Sequence, residues 1–244
     1  MLCKDYRNVL VKMMDELIES EIEKIKFASE TITEKIINGG VIFAFGTGHS
    51  HCVAEEICGR AGGLGTIDVI LEASLIGATG FTKSQYLERL EGFAEPIINH
   101  RGITDKDVLL IISNSGRNTV PVEMAIKAKE RKIFTVAITS FKYSKHTGPR
   151  NKYGKCLYEV VDVAIDNQGI VGDACIKLAG LEQPICSTSN IMSSFAAQLI
   201  CGEICKIMVE KGIEPPIFMS GNLDGADEKN DKMTNSYKHR IKAW

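Results

Sequence analysis

The sequence predicts an α/β fold: a three-layer αβα sandwich on a five-stranded parallel sheet, preceded by a long N-terminal helix. Three observations lead there. Short apolar runs alternate with segments of helical spacing from residue 41 onward. The central runs, "DVLLIIS" (107–113) and "IFTVAIT" (133–139), are continuously apolar, the pattern of strands covered on both faces. Several of the turns after the runs are rich in Gly, Ser, Thr and Asn, and ligands of such sheets bind at the carboxyl ends of the strands. The composition agrees, since 244 residues with 44% hydrophobic content suffice for a globular core. A net charge of −2 gives no global attraction to nucleic acid or to an anionic membrane, so neither is expected as a partner. An anionic ligand then needs a local site.

Residues 5–38 read as one helix, because Val11, Met14, Ile18, Ile22, Ile25, Ala28, Ile32 and Ile36 step by three or four and Gly39-Gly40 ends the pattern. The stripe suits a core-covering face or a seam between two copies. "VIFAF" (41–45) is the first strand, with helical spacing after it in "SHCVAEEICGRAG". "TIDVIL" (66–71) is the second, residues 72–82 read as loop, and residues 83–100 as helix with a break near Pro96. The strand at 107–113 stops at "NSG", and the helix after it places Val120, Met124 and Ala128 in phase, with Glu123 toward solvent. The strand at 133–139 leads into the polar "SFKYSKHTGPRNKYGK" (140–155), expected to be a mobile excursion. "VVDVAID" (160–166) is the fifth strand, a further short strand is expected near 174–178, and "TSNIMSSFAAQLICGEICKIMVEKG" is a long late helix ended by Gly212. The chain thus divides into a helix (1–40), an α/β domain (41–218) and a polar C-terminal segment (219–244).

No run of about 18 apolar residues marks a transmembrane span, and the charged start lacks a signal-peptide core, so a cytoplasmic protein is expected. The eight cysteines form no CxxC pair and read as small buried hydrophobes in a reducing compartment. Neither Cys201 with Cys205 nor His49 and His51 with Cys52 completes a zinc set. In "GNLDGAD" (221–227), a calcium-loop fragment, Met233 stands where the bidentate Glu belongs. No metal and no cofactor is expected.

Three clusters carry the candidate chemistry. Gly46-Thr47-Gly48-His49-Ser50 joins a strand to a helix, and its N–H groups with the hydroxyls of Thr47 and Ser50 suit an anion. It resembles a dinucleotide GxGxxG turn, but His51 occupies the third glycine position, and no P-loop pattern is present. "ISNSGRNT" sets Ser113, Asn114, Ser115, Asn118 and Thr119 around Gly116 after the strongest strand. A helix cap needs one such side chain. The surplus of neutral donors, with no cationic clamp, suits a phosphate; Arg117 in this loop could either reach an anion or simply be exposed. Ser187-Thr188-Ser189-Asn190 opens the late helix, with Ser187 or Thr188 as its cap or as a ligand group. For proton transfer the first choice is Glu56, with Glu55 behind it; adjacent helical residues point about 100° apart, so only one faces a cleft. His49 and His51 could polarise a carbonyl or assist ring opening.

These motifs resemble the sugar isomerase (SIS) domain family, and "GTGHSHCVAEEICGRAGGL", "SNSGRN" and "EPPIFMSGNLDGADEKN" resemble more closely a bacterial group of single-SIS proteins with a GTGHSH motif. The resemblance implies a flavodoxin-like sheet that binds phosphosugars, with the phosphate at Ser113, Ser115 and Thr119 (Asn118 as alternate) and Ser50 on the sugar or phosphate. Phosphoheptose isomerase, a relative, carries a Glu before Thr-Gly-Arg, which "Glu56-Ile57-Cys58-Gly59-Arg60" resembles, and a catalytic His on the late helix. That helix holds no His here, only Gln198 and Glu203 as deep polar groups. The expected function is binding of a sugar phosphate and aldose–ketose isomerisation through a cis-enediol, in a homodimer or higher homo-oligomer. The alternatives are a non-catalytic phosphosugar sensor and an etherase or lyase acting on an amino-sugar phosphate.

Overall fold

Five parallel strands, β1 (Ile42–Gly46), β2 (Ile67–Ile70), β3 (Val108–Ile112), β4 (Phe134–Thr139) and β5 (Val163–Asp166), form one sheet in the order β2-β1-β3-β4-β5. The structure is a computed structural model that describes residues 1–243. The helices are α1 (Leu2–Ile37), α2 (His51–Glu56), α3 (Phe81–Leu87), α4 (Ala94–Arg101), α5 (Thr119–Glu130), α6 (Phe141–Thr147), α7 (Ser189–Glu210) and α8 (Ala226–Tyr237). An antiparallel ribbon of β6 (Ala174–Ile176) and β7 (Ile185–Ser187) precedes α7.

Strand side chains alternate between two cores. Ile42, Ala44, Val108, Leu110, Ile112, Val136 and Ile138 pack with α1, α2 and α7; Phe43, Phe45, Leu109, Ile111 and Ala137 pack with α4 and α5. Phe43 and Phe45 are fully buried, each stabilising the fold by about 1.5–3 kcal/mol. This is the predicted three-layer sandwich. α7 is long and apolar enough in composition to cross a bilayer, a feature the sequence reading passed over. Here its Met192, Ala196, Ala197, Ile200, Ile204 and Met208 belong to the first core.

Other expectations need correction. Along α1 the buried line runs Met13, Leu17, Glu21, Ile25, Ala28, Ile32 and Ile36, while Val11 and Ile18 are 47% and 41% exposed. Steps of four walk around a helix of 3.6 residues per turn, so the face that follows α7 differs from the apolar stripe at the helix start. The 72–82 segment is not all loop, since it holds a 3₁₀ turn at Gly77–Thr79 and the start of α3. The helical break falls at residues 88–93, and Pro96 lies in the first turn of α4, where its missing N–H costs nothing. Glu123 does not face solvent: it is 4% exposed, accepts the N–H groups of Gly92 (3.0 Å) and Ala94 (3.2 Å) at the start of α4, and accepts the Tyr153 hydroxyl (3.0 Å). Residues 140–155 form α6, capped by the Ser140 hydroxyl accepting from the Tyr143 N–H (3.0 Å), and a turn held by Arg117 and Asn151. Only Cys156 and Cys201 among the cysteines are buried, and burial pushes the Cys201 thiol up to about 12.

The C-terminal segment returns to the amino edge of the sheet. Fully buried Asp107, just before β3, accepts the N–H groups of Val41 (3.1 Å) and Thr104 (2.8 Å), the Thr104 hydroxyl (2.9 Å) and Arg240 Nη2 (2.6 Å). Fully buried Asp68 pairs with Arg101 (3.3 Å) and accepts the N–H groups of Lys242 and Ala243, with Ile241 buried between the two carboxylates' partners. Removing one partner of a buried charge exposes its desolvation cost. Asp107 keeps three other donors, so Arg240→Ala is expected to destabilise the fold by about 2 kcal/mol, read as a lower urea midpoint. An unchanged midpoint would show that the strap contributes nothing.

Candidate functional site

In this strand order the chain leaves β1 for β2 on one side and β3 for β4 on the other, so the crevice between the ends of β1 and β3 is the topological switch point, where ligands of open α/β sheets bind. The loops after β1 and β3 border it.

The first loop is closed by its own backbone. A Cβ on Gly46 would lie 2.5 Å from the Ser50 carbonyl oxygen, so only glycine fits. Thr47 is buried and Ser50 half-buried. His51 Nδ1 meets the Gly48 carbonyl. His49 is exposed, edge-on to the Phe81 ring at 6.2 Å, and its carbonyl accepts from Asn190 Nδ2 (3.2 Å).

The second loop turns at Gly116, whose φ of +58° favours glycine and where a Cβ would lie 2.6 Å from Thr139 Oγ1. Its carbonyls are tied to the protein: Asn114 accepts the Ser140 N–H (2.9 Å), Ser115 the Ser144 hydroxyl (2.8 Å) and Gly116 the Leu157 N–H (2.7 Å). Asn114 Oδ1 accepts from Asn167 Nδ2 (3.1 Å), which also reaches Ser193 Oγ (2.9 Å). Among the described residues, no acceptor engages the N–H groups of Ser115, Gly116 and Arg117 or the hydroxyls of Ser113 and Ser115. Successive free N–H groups beside hydroxyls make an anion nest.

Asn118 and Thr119 are employed differently. The Thr119 hydroxyl donates to the Arg89 carbonyl (2.8 Å). Asn118 donates through Nδ2 to Glu88 Oε1 (2.6 Å) and accepts at Oδ1 from Arg150 Nε (3.0 Å) and Nη2 (2.6 Å). Glu88 also accepts the Thr47 hydroxyl at Oε2 (3.0 Å), so one carboxylate joins the two loops across the switch point. Burial raises its pKa above the ordinary 4.5, against the opposing pull of the Thr47 hydrogen bond and of Arg150 and Arg89. Sequence reasoning missed Glu88, because "QYLERLE" reads as an ordinary surface helix. Beside Arg117, which the sequence already places in this loop, the structure adds Arg150 from far along the chain.

At the start of α7, Asp173 accepts the N–H groups of Thr188 (3.0 Å) and Ser189 (2.7 Å) and the Ser189 hydroxyl (2.8 Å). The chain's own carboxylate therefore fills this helix terminus. Ser187 is exposed, and its carbonyl accepts the Tyr6 hydroxyl. Glu55 and Glu56 are both exposed on α2, with Glu56 paired to Arg60; neither side chain has a hydrogen bond to the two loops among the described residues. Gln198 is half-buried, and Glu203 pairs with Lys206 (3.3 Å).

A five-stranded parallel sheet in this order, covered by helices on both faces, defines a doubly wound α/β class. Residues 5–140 match the SIS domain model, and the chain belongs to the SIS domain family. It is 43% identical over 233 residues to a UPF0309 protein of Halalkalibacterium halodurans, covering 96% of each chain. Its fold is that of phosphoheptose isomerase GmhA from Neisseria gonorrhoeae (TM-score 0.56, 18% identity, 85% of this chain and 97% of that one). It is also that of the Vibrio vulnificus NanR protein, solved in complex with ManNAc-6P (TM-score 0.50, 11% identity, 99% of this chain and 70% of that one).

A carboxyl whose pKa is higher folded than unfolded contributes fully below the unfolded value, and that contribution is lost as pH rises through the folded one. Glu88→Gln escapes this loss. Its melting temperature is expected to rise relative to the parent chain between about pH 4 and about pH 7. An offset equal at both pH values would show that Glu88 ionises as freely as in the unfolded chain.

Proposed function

We propose that the chain binds a sugar phosphate with its phosphate on the Ser113–Arg117 nest and interconverts the aldose and ketose forms through a cis-enediol. The observation that carries this reading is the run of free N–H groups with the Ser113 and Ser115 hydroxyls at the switch point. Neutral donors suit a phosphate, and an anchored phosphate supplies binding energy remote from the reacting carbons. One carboxylate removes the C2 proton of the aldose and returns it to C1, while the carbonyl oxygen gains a proton and the C2 hydroxyl loses one. Within one chain, Glu88 is the carboxylate at the crevice. Glu55 and Glu56 lie exposed on α2, where they would serve a site completed by a second copy. The reading includes such a homo-oligomer, with exposed Val11 and Ile18 of α1 as its seam, in a cytoplasmic setting.

A non-catalytic sugar-phosphate sensor is the second reading. It is favoured by the engagement of both Glu88 oxygens in hydrogen bonds and by the absence of His from α7.

A thermal-shift screen of sugar phosphates tests binding, and deuterium incorporation at C2 in heavy water tests the reaction. Ser113→Ala and Ser115→Ala are each expected to weaken binding of the responding sugar phosphate about 10-fold, as loss of a hydrogen bond to a charged group does. Binding without exchange would leave the sensor reading, and no stabilisation by any sugar phosphate would remove both.

A further inference from the structure

The backbones of three arginines lie beside the nest. Arg117 is its last residue. The Arg150 N–H donates to the Arg117 carbonyl (2.9 Å), and the Arg89 carbonyl accepts from the Thr119 hydroxyl, so all three backbones lie one hydrogen bond from the Arg117–Thr119 stretch. None of their guanidinium groups forms an ion pair among the described residues. Arg117 donates to the carbonyls of Gly148 (3.0 Å) and Thr147 (3.1 Å), Arg150 to the Asn118 amide oxygen, and Arg89 stacks at 5.8 Å over the Tyr86 ring. The surrounding cations are treated otherwise: Lys152 pairs with Glu91, Arg131 with Glu95 and Lys127 with Glu130. Glu88 acts electrostatically on Arg150, and its oxygens are engaged by Thr47 and Asn118. Burial lowers the Arg150 pKa, and the charges of Arg89 and Arg117 lower it further. The patch therefore holds positive charge in excess of its own counter-charges, in a chain whose net charge is −2.

A single phosphate on the nest does not account for this. The Arg117 and Arg150 guanidinium groups are drawn toward the 147–148 turn and toward Asn118, not onto the free N–H groups of Ser115 and Gly116. We propose that Arg89, Arg117 and Arg150 form a second anion subsite, so that the ligand is a phosphosugar bearing a second acidic group, a carboxylate or a second phosphate. This rests on the sugar-phosphate reading above. Guanidinium groups suit either acid, because their paired N–H donors match two oxygens at once.

The test compares ligands that differ in the second acidic group. Isothermal titration sets glucose 6-phosphate against 6-phosphogluconate, and fructose 6-phosphate against fructose 1,6-bisphosphate. The first pair reads a carboxylate and the second a phosphate. In the parent chain, the doubly acidic member of at least one pair is expected to bind about 10-fold or more tighter, the effect of one added charge-assisted hydrogen bond. In Arg89→Gln and Arg150→Gln that ratio is expected to collapse toward one. Arg150 also orients Asn118, and loss of that role would weaken both members of a pair alike, so the ratio isolates the subsite. Arg89 makes no side-chain hydrogen bond among the described residues, which makes its variant the cleaner of the two. Equal affinities within both pairs, or a ratio that survives in both variants, would overturn the subsite while leaving single-phosphate binding intact. Absence of binding by any of the four ligands would overturn the sugar-phosphate reading with it.

Discussion

Burial of the parallel sheet on both faces constrains everything else in this molecule. Once β1, β3 and β4 are covered by helices above and below, polar side chains within the strands need internal partners, and chemistry moves to the strand ends. The two ends then divide the work. At the amino edge, buried Asp68 and Asp107 and the Asp162 carboxylate accept backbone N–H groups and fasten the C-terminal strap and neighbouring strands. At the carboxyl edge the chain places Gly, Ser, Thr and Asn, and helix starts with their outward N–H groups.

Not all of those helix starts remain open to a ligand. Asp173 reaches α7 from the ribbon and accepts two of its N–H groups together with a serine hydroxyl. At α2, Ser50 makes no capping hydrogen bond and the preceding turn closes on itself through Gly46 and His51. The β3–α5 loop differs because its carbonyls are held by Ser140, Ser144 and Leu157, while among the described residues no acceptor engages the N–H groups of Ser115, Gly116 and Arg117. Glu88 then fixes how far the first and second loops stand apart, since one carboxylate binds Thr47 on one and Asn118 on the other. Arg150 sets the orientation of Asn118: with the amide oxygen facing a guanidinium, the amide nitrogen faces Glu88.

The strands were legible because burial on both faces writes a continuous apolar run, which no other local structure of that length explains as well. The polar turn was legible for a similar reason, since Ser113, Asn114, Ser115 and Gly116 are consecutive in the sequence. What escaped the sequence depends on partners far along the chain. Glu88 finds Thr47 41 residues away and Asn118 30 residues away, and Glu123 finds Gly92 31 residues away. No local pattern separates such carboxylates from solvated ones. The 140–155 segment misled for the complementary reason: its polar side chains are spent on the backbone of the second loop, with Asn151 bonding the Arg117 carbonyl (2.9 Å). Asn118 and Thr119 serve as braces between loops, a role that draws on the same residue types as a ligand contact and depends on distant partners.

The division between a neutral nest and a charged rim bears on how such a site selects its ligand. Backbone N–H groups and serine hydroxyls hold a phosphate of any parent molecule, because they address only its oxygens. They contribute affinity without discrimination. In the proposed sugar-phosphate reading, selectivity falls to the groups around the nest: the Glu88 carboxylate between the loops, the arginines beyond Asn118, and His49 with Asn190 across the first turn. Several of these are braced by one another rather than held rigidly by the sheet. Arg150 depends on Asn118, Asn118 on Glu88, and Glu88 on Thr47. A ligand that draws on any member changes the partners of the next. The spacing of the two loops is thus a property of one hydrogen-bonded chain, on which the proposed specificity would also depend, while the nest beneath it is anchored separately through carbonyls bound to the α6 side of the fold.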